Sequence, residues 1–456
     1  MKIQDALPSP VTFSFLSSAN ETRNVDYVGV GVKFFVALSV AIGWLALSIW
    51  LAMPWIRDLA ELTHWSIALF AVGGIAIIPG FMNAFLLSSL LMDRRPQRVP
   101  LAHYPALTIL VAAFNEGKSI AGTLKSIESQ RYPGAYEVFV IDDGSTDDTA
   151  EVVAALHSPN VTLVRQPKNS GKSAALNRGL SHARFGLVVT LDGDSFLHVD
   201  ALKHLVERYA SDPEHTRAVA GAMLVGNSRT NWVTRMQEWD YFHGIAATKR
   251  IQSLYQGTLV AQGAFSIYDR QLLIDLGGWD ECVGEDIVLT WAILSAGWRV
   301  GHAEDAVCFT NAPTRLGQFL QQRLRWARGM MEAFRRHPGI LFKPRLSTTF
   351  VWWNLFFPWI DVAFTVFFIP GIVLALFGIY WIAGPMTLIL LPLSLLMNGV
   401  MYRVNAAMFE EQGLRVRFNP LGFVLYAVAY SVILQPACVA GYLSELFGWR
   451  RRWGTK

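Results

Sequence analysis

Acidic residues recur where short runs of β-branched residues end. The stretch "VAAFNEG" closes on Asn115 and Glu116, "FVIDDGSTDDT" carries Asp142 and Asp143, and "VVTLDGDS" carries Asp192 and Asp194. A single Asp-Gly after a strand is ordinarily a turn. Three such ends in one region point further, because ligands of open α/β sheets bind beyond the carboxyl ends of the strands. Asp192 and Asp194 flank a glycine that permits close approach, and hard carboxylate oxygens at this spacing suit Mg²⁺ or Mn²⁺ completed by phosphate oxygens. "NSGKSAALN" (169–177) sets Lys172 beside Gly171 at a helix start, where a phosphate could be met. The spacing is not that of a P-loop, so a diphosphate is indicated, bound in some other way.

Two further stretches could do chemistry. "WDECVGEDIVLTWAILSAGW" (279–298) opens a helix with Glu285 and Asp286. Acidic residues there are commonly dipole partners, but a carboxylate beside a sugar hydroxyl could act as a general base. Trp279, Trp291 and Trp298 could stack on sugar faces, although packing accounts better for at least two of them. "QQRLRWARG" (321–329) places three arginines around Leu324 and Trp326, with Leu316, Leu320, Leu324, Ala327, Met331 and Phe334 at helical spacing. A basic amphipathic helix next to a membrane usually lies on anionic headgroups. The question it raises is whether Gln322, Arg325 and Trp326 do chemistry or only rest on lipid.

These residues need elements to position them. From about Pro105 to Asn311, "LTILVAAF", "YEVFVIDDG", "VTLVRQ" and "GLVVTLDGDS" alternate with the helical patterns "AGTLKSIESQ", "TAEVVAALH" and "SAALNRGLSHA". That alternation predicts a mostly parallel sheet wrapped by helices, in a domain of ordinary size. On either side the chain is apolar. The runs 31–53 and 65–92 each exceed the roughly 20 residues that span a bilayer. The second ends at "DRRPQR", where Arg94, Arg95 and Arg98 mark a cytoplasmic side by charge bias. The N-terminus should then be cytoplasmic too. After the amphipathic helix, 350–382, 386–402 and 421–443 are apolar again. The first of these is long enough to read as an interfacial start plus one span, or as a hairpin, giving five or six spans in all.

The expected layout is therefore a polar segment (1–30), two membrane helices (31–92), an α/β domain (93–312), an interfacial helix (313–345), a C-terminal membrane region (346–443) and a basic tail (444–456). Composition agrees with a multi-pass membrane protein: of 456 residues 52% are hydrophobic, with 16 Trp and 28 Phe. A net charge of +4 gives no reason to expect a nucleic-acid partner. Cys282, Cys308 and Cys438 make neither a zinc pattern nor a disulfide framework. The mixed polar start does not resemble a cleavable signal peptide.

Taken in order, "FNE", "DDGS", "DGD", "GED" and "QRLRW" resemble the processive, membrane-integrated family 2 glycosyltransferases: the cellulose, chitin, hyaluronan and poly-N-acetylglucosamine synthases. The likeness runs from Leu107 to Trp326. It implies a Rossmann-like GT-A domain in the cytosol, inserted between transmembrane helices of the inner (plasma) membrane. By the same resemblance Asp143, with Asp142 beside it, would contact the uracil and ribose of a UDP-sugar. Asn115, Glu116 and Lys172 join the substrate-binding set. Asp192 and Asp194 would hold Mg²⁺ (or Mn²⁺) and the diphosphate, with Asp194 closer to the metal. Asp286, with Glu285 next to it, matches the catalytic base; Gly284 stands where the family commonly has Thr. Gln322, Arg325 and Trp326 match the Gln-x-x-Arg-Trp motif, whose Arg contacts the diphosphate and whose Trp lines the acceptor site.

The implied reaction is transfer from UDP with inversion, on to a growing polysaccharide that leaves through a tunnel of the chain's own spans. Asp361 would line that tunnel or pair within the bundle. "QRLRWARG" and the few spans are most similar to the poly-β-1,6-N-acetylglucosamine synthases, which implies UDP-N-acetylglucosamine as donor and a small partner membrane subunit. Nothing resembles an appended cyclic-di-GMP module. The rival readings are synthesis of another polymer, transfer of one sugar to a lipid phosphate, and a transporter with a nucleotide-sugar sensing domain.

Overall fold

The computed structural model describes residues 28–94, 98–410 and 413–449. Most of the polar start, Arg95 and the tail arginines Arg450, Arg451 and Arg452 lie outside these. Among the described residues eight strands form one sheet in the order β3-β2-β1-β4-β7-β6-β8-β5. The four expected strands are β1 (Leu107–Ala113), β2 (Tyr136–Asp142), β3 (Val161–Arg165) and β4 (Leu187–Asp192). They are followed by β5 (Ser195–Leu197), β6 (Thr216–Val225), β7 (Phe265–Asp269) and β8 (Arg299–Thr310).

β1 pairs in parallel with both β2 and β4, in a register that sets Ala113 opposite Asp142 and Ala112 opposite Asp192. The acidic strand ends therefore share one edge. β7 reverses direction against β4 and β6, while β8 runs parallel to β6. Both faces are covered, as the unbroken apolar runs require. Leu110 packs on one side with Leu176 and Leu180, and Ile109 and Val111 on the other with Ile120 and Leu124. Trp279 and Trp291 are fully buried in the first of these cores, and Trp298 lies under the Arg217 guanidinium. None of the three borders the cavity described below.

Among the described residues four helices are long and apolar enough to cross a membrane: Val30–Leu62, Trp65–Leu91, Thr348–Leu376 and Pro420–Leu446. The run 386–402 falls within a further helix, Pro385–Glu410. Thr348–Leu376 is continuous through a π-turn at Phe364–Phe368, so 350–382 holds one helix and no hairpin. A Cβ on Gly74 would lie 2.5 Å from that of Ala363, so the glycine lets the second and third candidate spans meet closely. The Tyr442 hydroxyl donates to Asp361 at 2.6 Å. Of the two roles expected for Asp361, pairing is the one the helices display.

Ion pairs tie the α/β domain to the segments around it. Arg98 pairs with Glu207 and Asp305, Arg250 pairs with Asp93, and the Lys33 ammonium donates to the Arg94 carbonyl at 3.0 Å. The core beneath β1 also continues without interruption into Phe34, Phe85, Phe350 and Trp353 of the candidate spans.

Candidate active site

The loops beyond β1 and β2 are stitched together by the residues the sequence singled out. Asn115 takes a left-handed conformation (φ +56°), which Asn tolerates better than most residues. Its N–H donates to the Ser145 hydroxyl, and its side-chain oxygen accepts from Thr146 N–H, both at 2.9 Å. The Glu116 N–H donates to Thr149 at 2.8 Å, and its carboxylate accepts from Ser119 at 2.7 Å.

Asp142 and Asp143 are placed differently. Both are 1% exposed, and neither borders the cavity. Asp142 accepts from Ser145 N–H at 2.9 Å and sits 3.6 Å from Arg165. The two oxygens of Asp143 accept from the N–H groups of Ser170 and Gly171, each at 2.8 Å. Burial pushes the Asp143 carboxyl up against the opposing effect of those bonds. As the chain stands, Asp143 anchors the turn at Gly171 (φ +95°) that begins the helix Lys172–His182. It thereby sets where Lys172 points.

A cavity of about 960 Å³ opens beyond the strand ends, and every other expected site residue borders it. On one wall the Lys172 ammonium lies 2.5 Å from Asp192 and 3.6 Å from Glu285. Burial opposes that charge, but the two carboxylates hold it above the ordinary lysine range. Burial pushes Glu285 up, with Lys172 opposing and Asp286 adding to the rise. Asp286 accepts from Gly263 N–H at 3.3 Å and from Ile287 N–H at 2.8 Å. Among the described residues no three His, Cys, Asp or Glu side chains are grouped to hold a metal. Asp192 and Asp194 thus fit a hard divalent ion that arrives with a diphosphate, which supplies the remaining oxygens. They do not make an all-protein cage.

The opposite wall is the amphipathic helix, Leu316–Arg336. Of its three central arginines, Arg323 and Arg328 pair with carboxylates and Arg325 faces the cavity. Arg323 pairs with Asp240 at 2.8 Å and lies 4.0 Å above the Trp326 ring. Arg325 borders the cavity, where burial weakens its proton affinity against the pull of Glu285, Asp192 and Asp286. Arg328 pairs with Glu445 of the last helix at 3.0 Å, both side chains 6% exposed. Gln322 and Arg325 each keep a buried polar atom, Oε1 and Nε, with no protein partner. Trp326 is 43% exposed, with Tyr241 at 6.3 Å.

This helix meets the start of the helix Glu285–Ser295 through two glycines. A Cβ on Gly284 would lie 2.5 Å from the Gly329 Cα, and one on Gly329 would lie 2.7 Å from the Gly284 Cα. The departure at Gly284 has its physical reason here: a threonine would collide with backbone. One turn further on, the Glu332 carboxylate accepts from Val283 N–H at 2.8 Å and Gly284 N–H at 3.1 Å. Sequence reasoning missed Glu332, Gly329 and Lys249, another lysine on the cavity wall. A helix-face glycine four residues past the Arg of "RW" was the one available signal.

Residues 108–277 match the family described as Glycosyl transferase family 2. A poly-beta-1,6-N-acetyl-D-glucosamine synthase of Staphylococcus aureus (strain COL) is 30% identical over 247 residues, covering 54% of this chain and 59% of that protein. The synthase of the same name from Staphylococcus epidermidis (strain ATCC 35984) is 30% identical over 262 residues, 57% and 61% of the two chains. The chain thus spans about three fifths of the length of these curated relatives (59% and 61%). Among solved structures, the mannosyltransferase PcManGT from Pyrobaculum calidifontis, in complex with GDP-Man and Mn²⁺, superposes with a TM-score of 0.53. The match has 19% identity and covers 92% of this chain and 100% of that one, and the shared architecture is the GT-A fold.

Proposed function

We propose that this chain, built around a family 2 glycosyltransferase domain, polymerises N-acetylglucosamine from its UDP derivative and passes the product through its own membrane helices. One observation carries the reading: a single cavity is bordered by the Lys172–Asp192–Asp194 wall, by Asp286, and by Gln322, Arg325 and Trp326 of the interfacial helix. The relatives named as poly-beta-1,6-N-acetyl-D-glucosamine synthases support the sugar and the polymer.

The chemistry follows from the residues. Asp286, held by the Gly263 and Ile287 N–H groups, takes the proton from the acceptor hydroxyl. That oxygen bonds to the anomeric carbon as the bond to UDP breaks on the opposite face, so configuration inverts. Negative charge grows on the departing diphosphate, and Lys172 and Arg325 on the cavity wall offset it. A divalent ion held by Asp192 and Asp194 would add positive charge at the same place. Trp326 offers a partly exposed aromatic face to the acceptor sugar.

The reading extends to the membrane. The catalytic domain is on the cytoplasmic side of the inner membrane, and the polymer leaves beside the last helix. That helix touches the interfacial helix closely: a Cβ on Gly441 would lie 2.5 Å from the Leu324 carbonyl oxygen. The test is incubation of the detergent-purified chain with UDP-N-acetylglucosamine, UDP-glucose and UDP-glucuronate separately, with and without Mg²⁺. UDP release and product length are followed. Long Mg²⁺-dependent polymer from UDP-N-acetylglucosamine supports the proposal. Polymer from another sugar changes the substrate, a single transfer removes processivity, and no release from any donor contradicts the transferase reading.

A further inference from the structure

Lys249 lies in the cavity wall on the helical stretch 248–254 and is 8% exposed. Its ammonium donates to the Val260 carbonyl at 2.9 Å, leaving two of its three N–H donors without a protein partner among the described residues. The contrast with Lys172 is sharp. Lys172 is matched by carboxylates at 2.5 and 3.6 Å, whereas no carboxylate among the described residues lies within salt-bridge distance of Lys249. Burying an ammonium on these terms is costly. Burial brings Lys249 down to about 7, with Asp286 opposing the fall.

The wall connects this lysine to the base. Val260, Gln262 and Gly263 border the same cavity. The Ala261 N–H donates to Thr290 at 2.8 Å, and the Gly263 N–H donates to Asp286 at 3.3 Å. The strap 260–263 is thus fastened to the first turns of the helix that carries Asp286. Lys172 touches it at Gly263, where a Cβ would lie 2.8 Å from the Lys172 ammonium, and Lys249 touches it at Val260. Each end of the strap therefore has its own buried lysine: one committed to the carboxylates on the diphosphate side, the other with free donors. A neutral or weakly charged amine suits the uncharged oxygens of a sugar, hydroxyl or amide carbonyl, better than it suits a diphosphate.

We propose that Lys249 is an acceptor-binding residue, donating from the cavity wall to an oxygen of the terminal sugar and thereby turning its reactive hydroxyl toward Asp286. This rests on the transferase reading above.

The test uses the full chain in detergent with Mg²⁺, UDP-N-acetylglucosamine and a short N-acetylglucosamine oligosaccharide. Lys249→Met is expected to raise the oligosaccharide concentration for half-maximal rate about tenfold or more, the loss of a buried hydrogen bond. UDP affinity by calorimetry should stay within about twofold of wild type, while Lys172→Met weakens it. A Met variant that loses UDP affinity as strongly as acceptor use, or changes neither, overturns the proposal. A second measurement needs no variant. Cyanate modifies neutral amines, so Lys249 should be carbamylated at pH 7 ahead of surface lysines, and the oligosaccharide but not UDP should slow that modification. Protection by UDP alone, or by neither, overturns the assignment. A wild-type chain that releases no UDP from any sugar would defeat the transferase reading, and the cyanate measurement would still decide Lys249.

Discussion

Replacing Gly329 with Ala tests whether Asp286 and the helix Leu316–Arg336 are held in register by backbone contact. The new Cβ would lie 2.7 Å from the Gly284 Cα and 3.1 Å from its nitrogen. Carbon atoms rest about 3.5–4.0 Å apart, so one partner must retreat by about 1 Å. Both neighbours are backbone, and no side chain can turn aside to absorb it. The stability cost is modest. Overpacking costs about 1–3 kcal/mol, and alanine recovers about 1 kcal/mol over glycine within a helix. The net loss should then be about 0–2 kcal/mol.

The rate should suffer more, because a misplacement of about 1 Å between reacting groups costs on the order of 100-fold. The retreat separates Asp286 from Arg325 and Trp326 without touching any of them. The assay is UDP release at saturating donor, with UDP affinity and thermal unfolding measured alongside. Gly317→Ala, on the same helix, is the control: a Cβ there meets nothing within 4 Å, so activity should be unchanged. A Gly329→Ala enzyme with wild-type turnover would refute the register argument, as would a Gly317→Ala enzyme equally impaired.

Two further outcomes follow from the same contacts. Glu332→Ala strands the Val283 and Gly284 N–H groups, each worth about 1–3 kcal/mol when left unpaired, and should lower both melting temperature and turnover. Glu332→Gln keeps an acceptor oxygen and should stay close to wild type. Arg328→Met takes away the buried partner of Glu445 and leaves it only the exposed Arg335, so detergent unfolding should show a cost of about 1–3 kcal/mol. Arg328→Met with Glu445→Leu should recover most of that, since two apolar groups can replace a buried pair at little cost.

The sheet was legible because two-sided burial writes itself as unbroken apolar strands, and because parallel strands must end in loops on a common edge. That is why Asn115, Glu116, Asp192 and Asp194 could be placed beside the cavity from spacing alone. For the arginines of "QQRLRWARG" a helical period shows only which face is polar, and only the family resemblance points beyond lipid. Their partners Asp240 and Glu445 come from elsewhere in the chain, and no local pattern announces them. Asp142 and Asp143 carry the same strand-end signal, yet main-chain N–H groups beyond the next strand take up Asp143. Lys249 gave no signal, since a lone lysine in "TKRIQSL" looks like a solvated helix position until tertiary packing buries it. The run 350–382 invited a hairpin by its length, but a π-turn keeps it one helix.

The most direct measurement of the central claim pairs Asp286→Asn with wild type at saturating UDP-N-acetylglucosamine and Mg²⁺, scoring sugar transfer and UDP binding on the same preparations. The variant keeps the side-chain shape and the cavity, so UDP affinity should stay within about twofold. Transfer should fall by about 10²-fold or more, the contribution of a positioned general base. Transfer that persists in the variant at the wild-type rate would contradict the assignment of Asp286 as the base and, with it, the account of the cavity as the site of glycosyl transfer.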